Sequence, residues 1–216
     1  MERFAQIART DAPTLDLLSL AIAGALRDAD EEAALRELDR LAGAVVHHGI
    51  GATGAEQVDA LRTVLGRHAG FVGDIEDYDH PDNSMLDLVL ERRRGLPILL
   101  SVVWIEVGRR VGIPIRGVGL PGHYVAGWFG EGDPILFDPF KGGILLADPP
   151  PPGRIVQTPV HLTALRILSN LAASYERRGD VGRSLKAASL RLDLPLGDRD
   201  MRVMEFEHRR IGARMN

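Results

Sequence analysis

Pro97-Ile98-Leu99-Leu100-Ser101-Val102-Val103-Trp104-Ile105-Glu106-Val107-Gly108-Arg109-Arg110-Val111, followed by Gly112-Ile113-Pro114, is the stretch on which the fold turns. Its Val and Ile content is strand-like, but it is longer than an ordinary strand and its punctuation is helical. Proline is tolerated at a first helical position, where its missing N–H has no intrahelical partner to lose. Two arginines fall in the last turn, against the carbonyl end of the helix dipole, and Gly112 with Pro114 stops the chain. A helix apolar on nearly every side must be enclosed, so residues 97–111 read as a central buried helix. The apolar run Ile98–Gly108, broken at Glu106, is too short to span a bilayer.

Upstream, residues 14–69 read as three helices. Pro13-Thr14 starts the first, Asp28 or Asp30 starts the second and Gly49 ends it, and Thr53 caps the third. Ser84 with Asp87 forms a variant capping box for a short helix through Leu90, which Gly95 ends beside Arg92-Arg93-Arg94. Downstream, Ile113–Gly119, Tyr124–Phe129 and Ile135–Phe140 alternate as strands. Asp148-Pro149-Pro150-Pro151-Pro152-Gly153 is a stiff spacer. Helices follow from Thr158-Pro159 to Arg178, from Gly179-Asp180 to Pro195, and over 199–213. Helices, then a small antiparallel sheet, then helices make the fold class α+β, divided into a unit of residues 1–147 and a helical tail of residues 154–216.

The composition closes several routes. There is no cysteine, which excludes disulfides, thiolate zinc sites, iron–sulfur clusters and a thiolate nucleophile. The balance of 26 Lys+Arg against 30 Asp+Glu gives a net charge of −4, not the basic face of a nucleic-acid binder. The first residues, Met1-Glu2-Arg3-Phe4-Ala5, lack a signal-peptide apolar region, so a soluble cytoplasmic protein is expected, with no membrane partner.

Two motifs mislead. Gly117-Val118-Gly119-Leu120-Pro121-Gly122 fits G-x-G-x-x-G, but a dinucleotide site needs a helix next, and here Pro121 and a strand follow. His47 and His48 are adjacent, so they point apart on a helix, and no H-E-x-x-H occurs; neither a metal nor another cofactor is expected.

His123 and Asp138 form the stronger pair. If the hairpin turns about Gly130-Glu131, the two are directly opposite on one face, with Cβ atoms about 5 Å apart. Asp138 would then fix the imidazole tautomer and leave the other ring nitrogen free as a base. A slip of one residue would separate them onto opposite faces. The alternative is a satisfied core histidine and an aspartate that caps the turn before Pro139. Tyr78, Asn83 and Gly122 border the same region as candidate binding residues, or simply order their turns. Trp128 lines a groove or packs in the core, and Arg92–Arg94 is a solvated helix end or an anion site.

Four segments carry a family resemblance: Asn83-Ser84-Met85-Leu86-Asp87 with Leu90-Glu91-Arg92-Arg93; Gly95-Leu96-Pro97-Ile98; Pro121-Gly122-His123-Tyr124; and Phe137-Asp138-Pro139-Phe140 with Gly142-Gly143. Their order resembles the transglutaminase-like (papain-like) core, and within it the SirB-type proteins, over roughly residues 70–146. The tail is similar to a tetratricopeptide hairpin through Asn170-Leu171, Tyr175, Gly179-Asp180 and Pro195, and a lone repeat must dock to bury its face. The resemblance implies a Cys-His-Asp site, with His123 and Asp138 as its last two members. The cysteine position, counted back from Gly112-Ile113-Pro114, falls on Pro97. Ser101, one turn further on, is the remaining hydroxyl on that face, or else it bonds back to the Pro97 carbonyl.

Three functions follow from these readings. The first is a non-catalytic module that binds or regulates an unidentified protein or peptide. The second is a hydrolase or acyl transferase using Ser101 or water with His123 and Asp138. The third is a structural accessory subunit.

Overall fold

A computed structural model describes residues 2–214; Met1, Met215 and Asn216, the outer ends of the two units read from the sequence, lie outside the described residues. The chain opens with α1 (Glu2–Ala8), a helix the sequence reading left out, and its Phe4 and Ala8 are buried. α2 (Leu15–Leu26), α3 (Glu31–His48) and α4 (Gly54–Leu61) follow. Asp30 caps α3 through the Ala33 N–H, and Gly49 ends it at φ 101°, the left-handed region a glycine enters without steric cost. Thr53 and Glu56 form a reciprocal capping box on α4, which runs on into a π-helical segment, Arg62–His68.

The expected capping box of Ser84 and Asp87 is absent. Pro81–Ser84 instead forms a 3₁₀ turn, so the chain enters α5 (Leu86–Arg92) through Met85, with no side-chain cap. Asp87 is turned to an ion pair with Arg27. The helix ends at Arg93, which adopts φ 60°, rather than at Gly95. Gly95 belongs to a two-residue parallel pairing of β1 (Val72–Gly73) with β2 (Arg94–Gly95). Such short pairings leave no periodicity for a sequence to show.

α6 (Pro97–Arg110) is the axis of the molecule, buried from Pro97 through Gly108. It packs against α2, α3 and α5 and against one face of the main sheet. Its carboxyl end is pinned by charge. Glu106, 2% exposed, accepts the Leu15 N–H at 3.0 Å and Arg109 Nε at 2.7 Å. Asp16, equally buried, accepts Arg110 Nη2 at 2.7 Å and Arg109 Nη2 at 3.1 Å. Burial alone would raise the Asp16 carboxyl, but the Thr14 hydroxyl, Arg110 and the Leu17 N–H outweigh it and hold the group below its ordinary value. Glu106 goes the other way, pushed up first by burial and then by Asp16.

The sheet is an antiparallel meander in the order β3 (Ile115–Leu120), β4 (His123–Trp128), β5 (Ile135–Asp138), β6 (Ile144–Leu145). β6 was not foreseen. Alternation sorts the faces: Tyr124, Ala126 and Phe137 join the main core, whereas Val118, Val125 and Leu136 form a second, smaller cluster. Pro121-Gly122 makes the two-residue turn between β3 and β4, with Gly122 at φ 68°, where only glycine is unstrained after proline at the preceding corner. The segment with the dinucleotide-like spacing is therefore a hairpin.

α7 (Val160–Arg177), α8 (Val181–Arg191) and α9 (Asp198–Gly212) complete the described chain. α7 and α8 pack on α2, and Ile167, Leu168, Leu171 and Leu190 belong to the same buried cluster as α6. Among the described residues no helix is long and apolar enough to cross a membrane.

Candidate functional site

β4 and β5 pair with Ala126 opposite Phe137 and Trp128 opposite Ile135, which places Asp138 across from Val125. The expected direct opposition of His123 and Asp138 is thus wrong by two residues, because the connection spans 129–134 and turns later than Gly130-Glu131. A shift of two keeps the face, whereas a shift of one would have lost it. The side chains meet on the diagonal: His123 Nε2 lies 3.0 Å from Asp138 Oδ2.

The carboxylate is itself held. Asp138 Oδ1 accepts the Phe140 N–H at 3.0 Å, closing the short turn Pro139–Lys141 that Asp138 caps. Asp138 is 8% exposed at its side chain and His123 32%. Buried acceptor and half-open imidazole are the arrangement in which one ring nitrogen is fixed and the other faces outward. Among the described residues, no protein group hydrogen-bonds His123 Nδ1. So both halves of the earlier alternative are present at once: Asp138 caps the turn and also holds the histidine.

An aromatic row borders the pair. The Phe140 ring stands edge-on to His123 at 6.4 Å and to Tyr78 at 5.9 Å. Tyr78 is 47% exposed, and partial burial, then Asp79, hold its phenol above the ordinary value. Phe140 reaches over Gly73, where any side chain would strike its ring. No local pattern marks Phe140 for this role, since the contact joins positions far apart in the chain. Exposed Ile75, Ile144 and Leu145 occur in the same segments, and Ile144 pairs directly with Asp138 across β5 and β6.

The other candidates are placed as follows. Pro97 is buried at the first position of α6. Ser101 is fully buried and donates its hydroxyl to the Pro97 carbonyl at 2.8 Å, so it is engaged within its own helix. Asn83 is fully buried and donates to the Asp77 carbonyl at 2.8 Å, ordering the loop that carries Tyr78. Trp128 is buried, 7% exposed, donates to Gln57 Oε1 at 2.8 Å and lies against Gly54 and Gly130. Two residues of the arginine run are already engaged. Arg92 bonds Asp74 at 2.9 Å, and Arg93 pairs with Glu37 and covers the Phe71 ring at 4.8 Å. Among the described residues, no group of three or more His, Cys, Asp or Glu is placed to hold a metal ion.

The tail contacts this region on two sides. Arg166 of α7 lies over the Tyr124 ring at 5.2 Å and donates to the His123 carbonyl at 3.3 Å. On the other side Ser174 donates to the Asp79 carbonyl, while Arg177 and Arg178 pair with Asp79 and Asp77 at 2.7 and 2.6 Å. The loop bearing Tyr78 is therefore clasped by α7.

Comparison with known proteins agrees with this architecture. Residues 32–150 match the transglutaminase-like superfamily. A UPF0162 protein of Xylella fastidiosa (strain 9a5c) is 34% identical over 179 residues, covering 72% of this chain and 63% of the relative. F-box only protein 21 of Mus musculus is 34% identical over 74 residues, 34% of this chain and 12% of that protein. The crystal structure of menin that reveals its binding site for the Mixed Lineage Leukemia protein superposes at a TM-score of 0.57. It shares 14% identity and covers 99% of this chain and 60% of menin, a likeness of fold alone. The chain spans less than two thirds of the length of the Xylella relative. With the buried central helix, the four-stranded meander and a family match over more than half its length, this chain belongs to the transglutaminase-like superfamily.

Proposed function

We propose that this chain is a non-catalytic member of the superfamily, of the SirB type, that binds an extended peptide segment of a partner protein beside His123 and Asp138. The observation that carries the reading is an ordered His–Asp pair with no nucleophile to serve. Pro97 stands at the first position of α6, where a helix N-terminus would activate a cysteine thiolate. The chain contains no cysteine, and the Ser101 hydroxyl is spent on the Pro97 carbonyl. A base without a nucleophile still supplies a hydrogen-bonding group, and here it is flanked by apolar side chains suited to a peptide.

Two further features support binding. Tyr78, Ile144 and Leu145 are exposed apolar groups next to a polar anchor. Menin, a fold neighbour, carries a binding site for another protein. A second reading, a water-activating hydrolase, is favoured by the unbonded Nδ1 of a half-exposed histidine.

The test is affinity capture with the wild-type chain, Tyr78→Ala and His123→Ala in parallel, together with ester and amide hydrolysis assays. The binding reading expects a partner retained by wild type and lost from both variants, with no turnover. A partner held equally by all three would sink it. Turnover abolished in His123→Ala would establish the hydrolase instead.

A further inference from the structure

α9 carries its largest apolar side chain on the outside. Phe206 is 64% exposed and Val203, one turn before it, 47%, while Met204 and Ile211 are buried on the other side of the helix. With about 100° of turn per residue, Arg199, Arg202 and Arg209 fall within about 60° of Phe206. All three are exposed. The four acidic residues of the helix, Asp198, Asp200, Glu205 and Glu207, fall about 80° or more away.

The arginines of this face are free to act on a partner. Among the described residues Arg199, Arg202 and Arg209 pair with no carboxylate, whereas Arg210 is held by Glu176 at 2.9 Å and Glu207 by Arg191 at 2.6 Å. An aromatic centre ringed by arginines is the composition of a protein interface rather than of an ordinary solvated surface. α7, α8 and α9 also pack in succession, so the outer face of α9 is where a further helix would continue the stack.

Charge decides what that helix is. A second copy of this chain would bring the same arginine collar against this one, and like charges set together oppose association. An anionic bilayer would meet the four acidic residues of α9 as well as its arginines, on a chain of net charge −4. An acidic helix of another protein meets neither obstacle, because it can place carboxylates opposite the arginines alone.

We propose that the outer face of α9 docks an acidic amphipathic helix of a partner protein. Its apolar stripe covers Phe206 and Val203, and its carboxylates meet the planar forks of Arg199, Arg202 and Arg209. This surface is distinct from the His123–Asp138 region and stands or falls independently of it.

The test is fluorescence anisotropy of a labelled helical peptide, a leucine stripe flanked by glutamates, titrated with the full chain. The companion probes are the same peptide with glutamine for every glutamate, and phosphatidylcholine vesicles with and without phosphatidylserine. The proposal expects saturable binding of the glutamate peptide that weakens with salt, and affinity at least about tenfold lower for the glutamine peptide. Phe206→Ala and Arg202→Glu change exposed positions and should keep the fold, yet each should weaken the glutamate peptide by about tenfold or more. His123→Ala should leave it unchanged. Equal affinity for the two peptides, no saturable binding, or binding insensitive to both α9 variants would each overturn the proposal. So would loss of binding in His123→Ala, which would put the peptide in the other site. Capture by phosphatidylserine vesicles without peptide binding would overturn it in favour of a membrane. Dimers seen in sedimentation and abolished by Phe206→Ala would overturn it in favour of a second copy.

Discussion

The two ends of the central helix have been treated in opposite ways. At the carboxyl end of α6, two buried carboxylates and two arginines are interlocked with α2, and every charge has a partner. At the amino end, where the resemblance to the superfamily implies a cysteine, there is a proline and a serine bonded to its own helix. The dense charge is thus structural, fastening α6 to α2. A cluster of perturbed carboxylates is often taken as a sign of an active site, but ion networks that fasten a fold perturb them equally.

Breaking the charged end should give the largest effect. Glu106→Ala takes one of two buried carboxylates from Arg109 and Arg110, which keep Asp16, and leaves the Leu15 N–H unpaired, so urea denaturation should show a loss of about 3 kcal/mol. The pH profile sharpens the point. Because Glu106 is raised, the native state keeps its proton over a window above the usual carboxylate value of about 4.3. Its contribution to stability therefore falls as pH rises through that window. Asp16 is lowered, so its contribution is present above about 3.9 and disappears as pH falls through its native value. Glu106→Gln should remove the first slope and keep the second. A profile unchanged by Glu106→Gln would contradict the assigned direction.

At the site, Asp138→Ala should cost about 1–3 kcal/mol, because the Phe140 N–H and the His123 ring lose their shared acceptor. His123→Ala, removing a partly exposed ring, should cost less. If thermal melts rank them the other way, the histidine is a packing residue and the pair is not organised around it.

How much of this was legible beforehand depended on the range of the interaction. α6 could be read because an all-round apolar run between Pro97 and Gly112 has few other solutions. The His123–Asp138 face could be read because strand alternation has period two, yet the partner could not, since nothing local fixes where the 129–134 connection turns. Ser84 looked like a cap by spacing alone, but the preceding His80-Pro81 commits the chain to a 3₁₀ turn first. Phe140, the clasp of α7 on the Tyr78 loop and the parallel pair at Val72 and Arg94 are contacts between distant segments, which leave no mark on any single stretch.

Pro97→Cys asks whether the amino end retains the character of a thiolate site. A cysteine there lies at the first position of a buried fourteen-residue helix, whose free N–H groups favour a negative charge. The midpoint of its alkylation by iodoacetamide should fall at least about one unit below the free-cysteine value of roughly 8.5. Repeating the titration in a Pro97→Cys, His123→Ala background should move the midpoint back up. If His123 makes no difference, then Pro97 is not the position that once faced the dyad.

Ser101→Ala is the smallest change and the most discriminating against a serine enzyme. The hydroxyl bonds to the Pro97 carbonyl, which the helix already engages through the i+4 pattern, so little is lost with it. Alanine also favours helix over serine by a few tenths of a kcal/mol. The two effects nearly cancel, and denaturation midpoints should agree within about 0.5 kcal/mol. Partner capture should likewise be unchanged, because Ser101 is fully enclosed and reaches no surface. Loss of any turnover in this variant, with stability intact, would mean that the hydroxyl leaves the Pro97 carbonyl in a working state, and the amino end of α6 would have to be counted as reactive after all.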